Sequence, residues 1–304
     1  AARRTLAALG YNECGSYSFI DAAAAAHFDG GDAPRRLENP ISQEMTHMRP
    51  SLLPGLLSAA ARNQARGFAD LALFEVGPGF LGGEPGEQQL LATGLLVGHS
   101  GPRDPHGARR TVDVFDAKAD MEAILAAVGA PAKTMILRDV PGWFHPGRAG
   151  RVGLGPKKTI AVFGELHPKT LEAFDVKGPA VAFTVFPEEV PMPRKTGATR
   201  PALVLKDLQS VERDFAFVVD TEVAAADVAA AAAGADKALI SDVSVFDAFS
   251  GERAEAQMGA GKKSVALAVR LQPADKTLTE KEIEAVSARI VEKVGKATGG
   301  VLRG

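Results

Sequence analysis

Leu37-Glu-Asn-Pro-Ile-Ser-Gln-Glu44, Met48-Arg-Pro-Ser-Leu-Leu-Pro-Gly-Leu-Leu57 and Leu73-Phe-Glu-Val-Gly-Pro-Gly-Phe-Leu-Gly-Gly83 are the pieces of sequence that decide the fold. In order they read as a turn, a helix, and a strand running into a glycine-rich loop. Asn39-Pro40 is a turn signal, because proline biases the residue before it away from the helical region. Ser51 is placed to cap a helix whose apolar residues recur at Leu52, Leu53, Leu56, Leu57 and Ala60. Residues 71–76 are short, apolar and followed by glycine, as a buried strand is. The stretch is the frame of a mixed sheet with a helix laid on it.

Composition sets the outer limits. A chain of 304 residues, 46% hydrophobic and 24% charged, is ordinary for a two-domain globular protein. Apolar runs are broken well short of a membrane span, and Ala1-Ala2-Arg3-Arg4 opens no signal peptide. The lone Cys14 forbids an intrachain disulfide and suits a reducing, cytoplasmic setting. It reads as a small buried hydrophobe. A start without Met, inside a helical pattern, makes a fragment of a longer polypeptide the expectation. The net charge of −2 argues against a general nucleic-acid binder.

Residues 77–82 satisfy G-x-G-x-x-G, but no helix opens after Gly83-Glu84-Pro85-Gly86, so a dinucleotide site is rejected. The six histidines show no metal-ligand spacing. His145 and His167 each precede proline, which favours turn-structuring roles.

The order Asn-Pro-x-Ser-x-Glu, Arg-Pro-Ser-Leu-Leu-Pro-Gly-Leu-Leu, Phe-Glu-Val-Gly resembles the beta chain of bacterial phenylalanyl-tRNA synthetase. Trp143-Phe-His-Pro-Gly-Arg148 and Gly164-Glu-Leu-His-Pro168 continue the resemblance across most of residues 9–186. The family's module is similar to a class II synthetase catalytic domain that has lost its chemistry. Active domains end the strand in Phe-Arg-x-Glu, where the arginine clamps the ATP phosphate. Here Phe80 is followed by Leu81, which makes no such bidentate contact. The later arginine signature is also absent before Pro191. The expected first module, residues 1–188, is therefore a synthetase-like scaffold without catalytic residues or a metal site.

A proline-rich linker is expected over residues 189–201, and a second module over 202–304. Strands are read at residues 213–220, 239–249 and 264–271, and a short one at 301–303. A helix over 222–233 is capped by Thr221. A second is opened by the Thr279/Glu282 capping box, shows one face of Ile283, Val286, Ile290 and Val294, and stops at Gly299-Gly300. In the first module, Asp116 or Asp120 starts a helix that runs to Val128. The order βαββαβ is ferredoxin-like. The fold class is thus α+β: a mixed or antiparallel sheet with helices, then a ferredoxin-like domain. Val211-Glu-Arg-Asp-Phe-Ala-Phe217, Val245-Phe-Asp-Ala-Phe249, Lys263-Ser264 and Thr277-Leu-Thr279 are similar to the ferredoxin-fold anticodon-binding domain that closes the same beta chain.

Alternation puts Asp247 and Phe249 on one strand face, and Ser264, Ala266, Ala268 and Arg270 on one face of the next. Small side chains there let a ligand approach the sheet. An aromatic ring stacks an unpaired base, and Asp, Ser and Arg read base edges or phosphate. The resemblance places the anticodon-reading positions on Asp247, Phe249, Ser264 and Arg303. The family often has tyrosine at 249, so stacking survives here and a hydroxyl is lost. Lys262 and Lys263 are candidate phosphate contacts. The plainer alternative makes Phe249 core and Asp247 a turn cap. From residue 201 onward there are 13 Lys and Arg against 16 Asp and Glu, a net of −3, so binding by this domain alone is expected to be weak and salt-sensitive.

The resemblance implies an alpha-chain partner in an α2β2 tetramer, phenylalanine tRNA as the RNA, no membrane, and ATP and Mg²⁺ as cofactors of the parent reaction. Two other readings stand beside it: a separate synthetase-like enzyme that binds ATP or an amino acid, and a subunit-contact module that meets no RNA.

Overall fold

The computed structural model describes residues 1–101, 104–192, 202 and 205–303. It divides into two compact units, residues 1–197 and 198–304. Of the proline-rich stretch read as a linker, residues 193–201 lie outside the described residues. Just before them, Pro187–Glu189 form a single 3₁₀ turn.

The first unit is built on a seven-stranded sheet in the order β1-β4-β5-β9-β8-β7-β6. Its strands are β1 (Asn12–Glu13), β4 (Leu71–Phe80), β5 (Gln88–Val97), β6 (Met135–Leu137), β7 (Phe144–Gly153), β8 (Thr159–Leu166) and β9 (Ala180–Val185). A separate small ladder joins β2 (Phe19–Ile20) to β3 (His47–Met48). Only β1 pairs in parallel, with β4, so the sheet is mixed as expected.

Helices cover both faces. On one lie α1 (Ala2–Ala8) and α4 (Val114–Ala127), which pack Leu6, Met121 and Ile124 against Phe74, Ile160 and Phe183. On the other, α3 (Leu53–Gln64) sets Leu53, Leu56, Leu57 and Ala60 against Leu73, Leu95 and Ala182. The short helices α2 (Ala22–His27) and α5 (Pro168–Ala173) complete the unit. Between the layers, β9 is buried along its whole length. Its Thr184 hydroxyl is satisfied by Thr93 at 2.9 Å. A Cβ at Gly94 would stand 2.3 Å from the Phe183 ring that faces it.

Several local expectations are corrected. The strand does not stop at Val76; β4 runs through Gly77-Pro78-Gly79 to Phe80, because antiparallel pairing with β5 continues to Gln88. Ser51 sits one residue before the helix cap: Leu52 is the cap residue, and the Ser51 hydroxyl accepts the Leu53 N–H at 3.2 Å. Neither Asp116 nor Asp120 starts α4. Asp113 caps it, Asp116 closes a capping box, and Asp120 accepts the Tyr11 hydroxyl at 2.6 Å. Burial, then Asp116, raises the Asp120 carboxyl, against the lowering bond from Tyr11. His145 lies within β7 at an irregularity, where its Nδ1 accepts the Gly147 N–H; His167 caps α5 by accepting the Lys169 N–H. Both are turn-structuring roles.

One buried polar cluster links the decisive stretch. Arg49 and Glu75, with side chains 3% and 7% exposed, pair at 2.8 Å. Arg49 also donates to the Ser16 hydroxyl at 2.9 Å and the Pro78 carbonyl at 3.0 Å, and Ser16 donates in turn to Glu75. Two glycines of the quoted motifs leave the room: a Cβ at Gly55 would stand 2.2 Å from the Ser16 hydroxyl, and one at Gly77 would be 3.0 Å from Arg49.

The second unit is a four-stranded antiparallel sheet in the order β11-β12-β10-β13. Its strands are β10 (Val211–Asp220), β11 (Ile240–Phe249), β12 (Lys262–Leu271) and β13 (Val301–Leu302). Helices α6 (Ala225–Ala233) and α8 (Glu280–Thr298) pack on one face. The predicted apolar face of α8 is buried as read, the Thr279/Glu282 capping box is formed, and Gly299 stops the helix at φ 69°. Burial of the four α8 side chains stabilises the unit by roughly 1.5–3 kcal/mol each. Thr221 does not cap α6, which starts three residues later at an Ala224 cap. Helix α7 (Glu252–Met258), between β11 and β12, is an element the sequence reading did not anticipate.

Replacing Glu75 by alanine leaves the Arg49 guanidinium buried without its carboxylate, and denaturant unfolding is expected to report a loss of about 3–5 kcal/mol. Glu282 gives a pH signature. Lys276, then the Thr279 N–H and hydroxyl, hold its carboxyl at about 2, below the ordinary 4.5. A depressed carboxyl stabilises fully above its ordinary value and loses that contribution as pH falls toward 2. Glu282→Gln is expected to flatten the acid-unfolding curve between about pH 4.5 and 2.

Candidate nucleic-acid interface

The sheet of the second unit has a helix-covered face and an open one, and cross-strand register sorts every residue between them. Phe215, Phe217 and Val219 of β10 point to the helices together with Val265, Leu267, Val269 and Leu271 of β12. Their neighbours in sequence therefore point to the open face.

On β11 the sorting depends on a bulge. Val243 pairs with Val269 and Val245 with Leu267, so both belong to the helix side. The register then slips at Phe246: Asp247 pairs with Ala266 and Phe249 with Ser264. An extra residue reverses the parity of every later side chain in the strand. Without the slip, Asp247 would face Val265 and the core.

Two rows result. In the first, Phe249, Ser264, Val218 and Val301 lie side by side across the four strands. In the second, Asp247, Ala266 and Ala216 are neighbours, and the Arg303 N–H donates to the Ala216 carbonyl at 2.8 Å, extending the row to Arg303. All four predicted residues thus share the open face within two adjacent rows. Strand spacing puts Arg303 about 14 Å from Asp247, while Asp247 and Phe249 are about 7 Å apart along one strand.

Phe249 is half-buried and lies outside the core cluster, Asp247 and Arg303 are exposed, and Ser264 is 5% exposed. The Asp247 carboxylate and Arg303 guanidinium have no hydrogen-bond or ion-pair partner among the described residues. An aromatic ring, a carboxylate, a hydroxyl and a guanidinium on a shallow floor of alanine and valine are chemically a stacking surface with base-edge readers.

The two lysines are placed differently. Lys262 pairs with Asp220 at 2.6 Å, and Lys263 donates to the Thr221 carbonyl at 2.8 Å. Alternation also puts them on opposite faces. The open face is not basic: Lys262 and Arg270, which lie on it with Arg303, pair with Asp220 and Glu212, and Asp214 and Asp242 lie on the same side. The bond to Glu212 raises the Arg270 guanidinium above its ordinary value.

In the first unit, Leu81 follows the end of β4 and is 58% exposed. The cation nearest in the hydrogen-bond network, Arg35, donates to the Phe80 and Leu81 carbonyls and pairs with Asp32. These residues do not fit a nucleotide phosphate, because the guanidinium is spent on backbone and the strand-end side chain is apolar. Among the described residues, no three His, Cys, Asp or Glu side chains converge as a metal-binding group.

A family model described as the phenylalanyl tRNA synthetase beta chain CLM domain matches residues 1–186, and one described as a ferredoxin-fold anticodon binding domain matches residues 207–303. The chain belongs to the phenylalanyl-tRNA synthetase beta chain family. It is 72% identical over 304 residues to the phenylalanine–tRNA ligase beta subunit of Cereibacter sphaeroides, covering 100% of this chain and 38% of that protein. To the same subunit of Ruegeria pomeroyi it is 70% identical over 303 residues, again 100% and 38%; to that of Rhodospirillum rubrum, 52% over 303 residues, 99% and 37%. The chain therefore spans less than two-fifths of the length of these relatives. No described helix is long and apolar enough to cross a membrane.

The sequence reading passed over Phe246, 58% exposed at the β11 bulge. Its signal was present as two consecutive bulky residues, Val245-Phe246, which strict alternation does not allow.

The two faces should separate in a stability measurement. Leu267→Ala, in the core face of β12, is expected to cost about 2–5 kcal/mol in urea unfolding. Asp247→Asn, on the open face, should change stability by no more than about 0.5 kcal/mol.

Proposed function

We propose that this chain is the scaffold and anticodon-reading part of a phenylalanine–tRNA ligase beta chain. Its first unit frames the assembly and packs against a catalytic alpha chain in an α2β2 enzyme of the cytoplasm. Its second unit grips the anticodon stem-loop of phenylalanine tRNA while the alpha chain carries out ATP- and Mg²⁺-dependent aminoacylation. This chain contributes no catalytic side chain.

The observation that carries the reading is the convergence of Asp247, Phe249, Ser264 and Arg303 on two adjacent rows of one open sheet face. Three of these residues come from the two strands that flank α7, and the fourth lies more than thirty positions beyond β12. In this reading Phe249 stacks an unpaired base, Asp247 and Ser264 accept or donate at its edge, and Arg303 bounds the site on the far side. The pairing of Lys262 with Asp220 and of Arg270 with Glu212, and the net charge of −3 from residue 201 onward, support recognition by base shape and stacking over capture by phosphate charge.

The test is tRNA affinity in the assembled synthetase. Phe249→Ala, with folding verified, should weaken binding of phenylalanine tRNA by about 1–3 kcal/mol. An unchanged dissociation constant would remove Phe249 from the site.

A further inference from the structure

We propose that Phe246 is a second stacking platform, taking the unpaired nucleotide next to the one held at Phe249; this rests on the anticodon-reading function above. The observation is the bulge. Phe246 is the β11 residue left without a cross-strand partner where the register slips between Val245 and Asp247. It belongs to no core cluster and is 58% exposed. The unit has three other aromatic residues: Phe215 and Phe217 are 7% and 0% exposed, and Phe249 is half-buried. Phe246 thus presents the most accessible ring of the unit, directly beside Asp247 in the chain.

Position and charge both point to a base. β11 is the outer strand of the sheet, so the exposed Phe246 ring lies at the sheet edge, next in the chain to Asp247 of the open face. Single-stranded RNA is bound by splaying successive bases onto successive aromatic rings. With a net charge of −3 from residue 201 onward, this domain gains little from phosphates, so its affinity must come from stacking, and one half-covered ring supplies only part of it. A protein strand adding to this edge is the competing use. The bulge interrupts the hydrogen-bond ladder there, which disfavours such pairing.

The experiment uses the assembled synthetase and an anticodon stem-loop of phenylalanine tRNA carrying 2-aminopurine at single loop positions. Phe246→Ala and Phe246→Leu are each expected to weaken binding at least about fivefold, whereas Phe246→Trp restores it. The quenching lost on Phe246→Ala should lie at a loop position adjacent to the one affected by Phe249→Ala. If Phe249→Ala weakens binding while Phe246→Ala and Phe246→Leu bind like the parent, the inference is overturned and the anticodon-reading function stands. If neither position affects binding, the function falls and the inference with it. If Phe246→Ala alters subunit assembly and leaves RNA affinity unchanged, the ring is a protein contact and the inference is likewise overturned.

Discussion

The first unit depends on a charge pair that water does not reach. Arg49 and Glu75 come from the segment before α3 and from the middle of β4, and they meet under the helix that joins those two places in sequence. Two buried charges are tolerated only if each finds its full set of partners. Here Ser16 serves both, by accepting from Arg49 and donating to Glu75, and the Pro78 carbonyl takes another guanidinium hydrogen. The cluster ties β1's exit loop, the approach to α3, and β4 to one geometry. It also accounts for the motif around it: Gly55 and Gly77 are where they are because a methyl group at either would press on Ser16 or Arg49.

The Arg49–Glu75 pair at the middle of β4 is directed inward and saturated, and Arg35 and Asp32 hold the turn after Phe80. Arg49 and Arg35 are committed to the frame's own backbone and carboxylates. Guanidinium groups held in this way lend the unit rigidity.

The parts of the fold that local rules govern were legible in the sequence. The Thr279/Glu282 box and the Ile283, Val286, Ile290, Val294 stripe specify α8 completely, because capping and periodicity act within one turn or one face. The parts set by distant contacts were not. α7 has no side-chain cap and buries only Ala254, so nothing in its seven residues announces it. β4 outran its expected end because its glycines are paired by β5, a partner no local pattern reveals. Asp113 took the cap of α4 from Asp116, and Asp120 turned to Tyr11 across the core. The candidate site was named through motif resemblance and alternation within single strands. That Asp247 and Ser264 look out from the same side follows only once the slip at Phe246 is known.

The β11 slip carries a further consequence. Which way Asp247 and Phe249 look is decided by how many residues precede them in the strand, and not by what those residues are. The open face is therefore indexed by a count. Exchanging one side chain for another near position 246 alters a contact, but removing a single residue there would invert the whole end of the strand, sending a carboxylate into the apolar layer and leaving Ser264 opposite nothing it was matched to. Length, in this short segment, is under tighter physical constraint than chemistry.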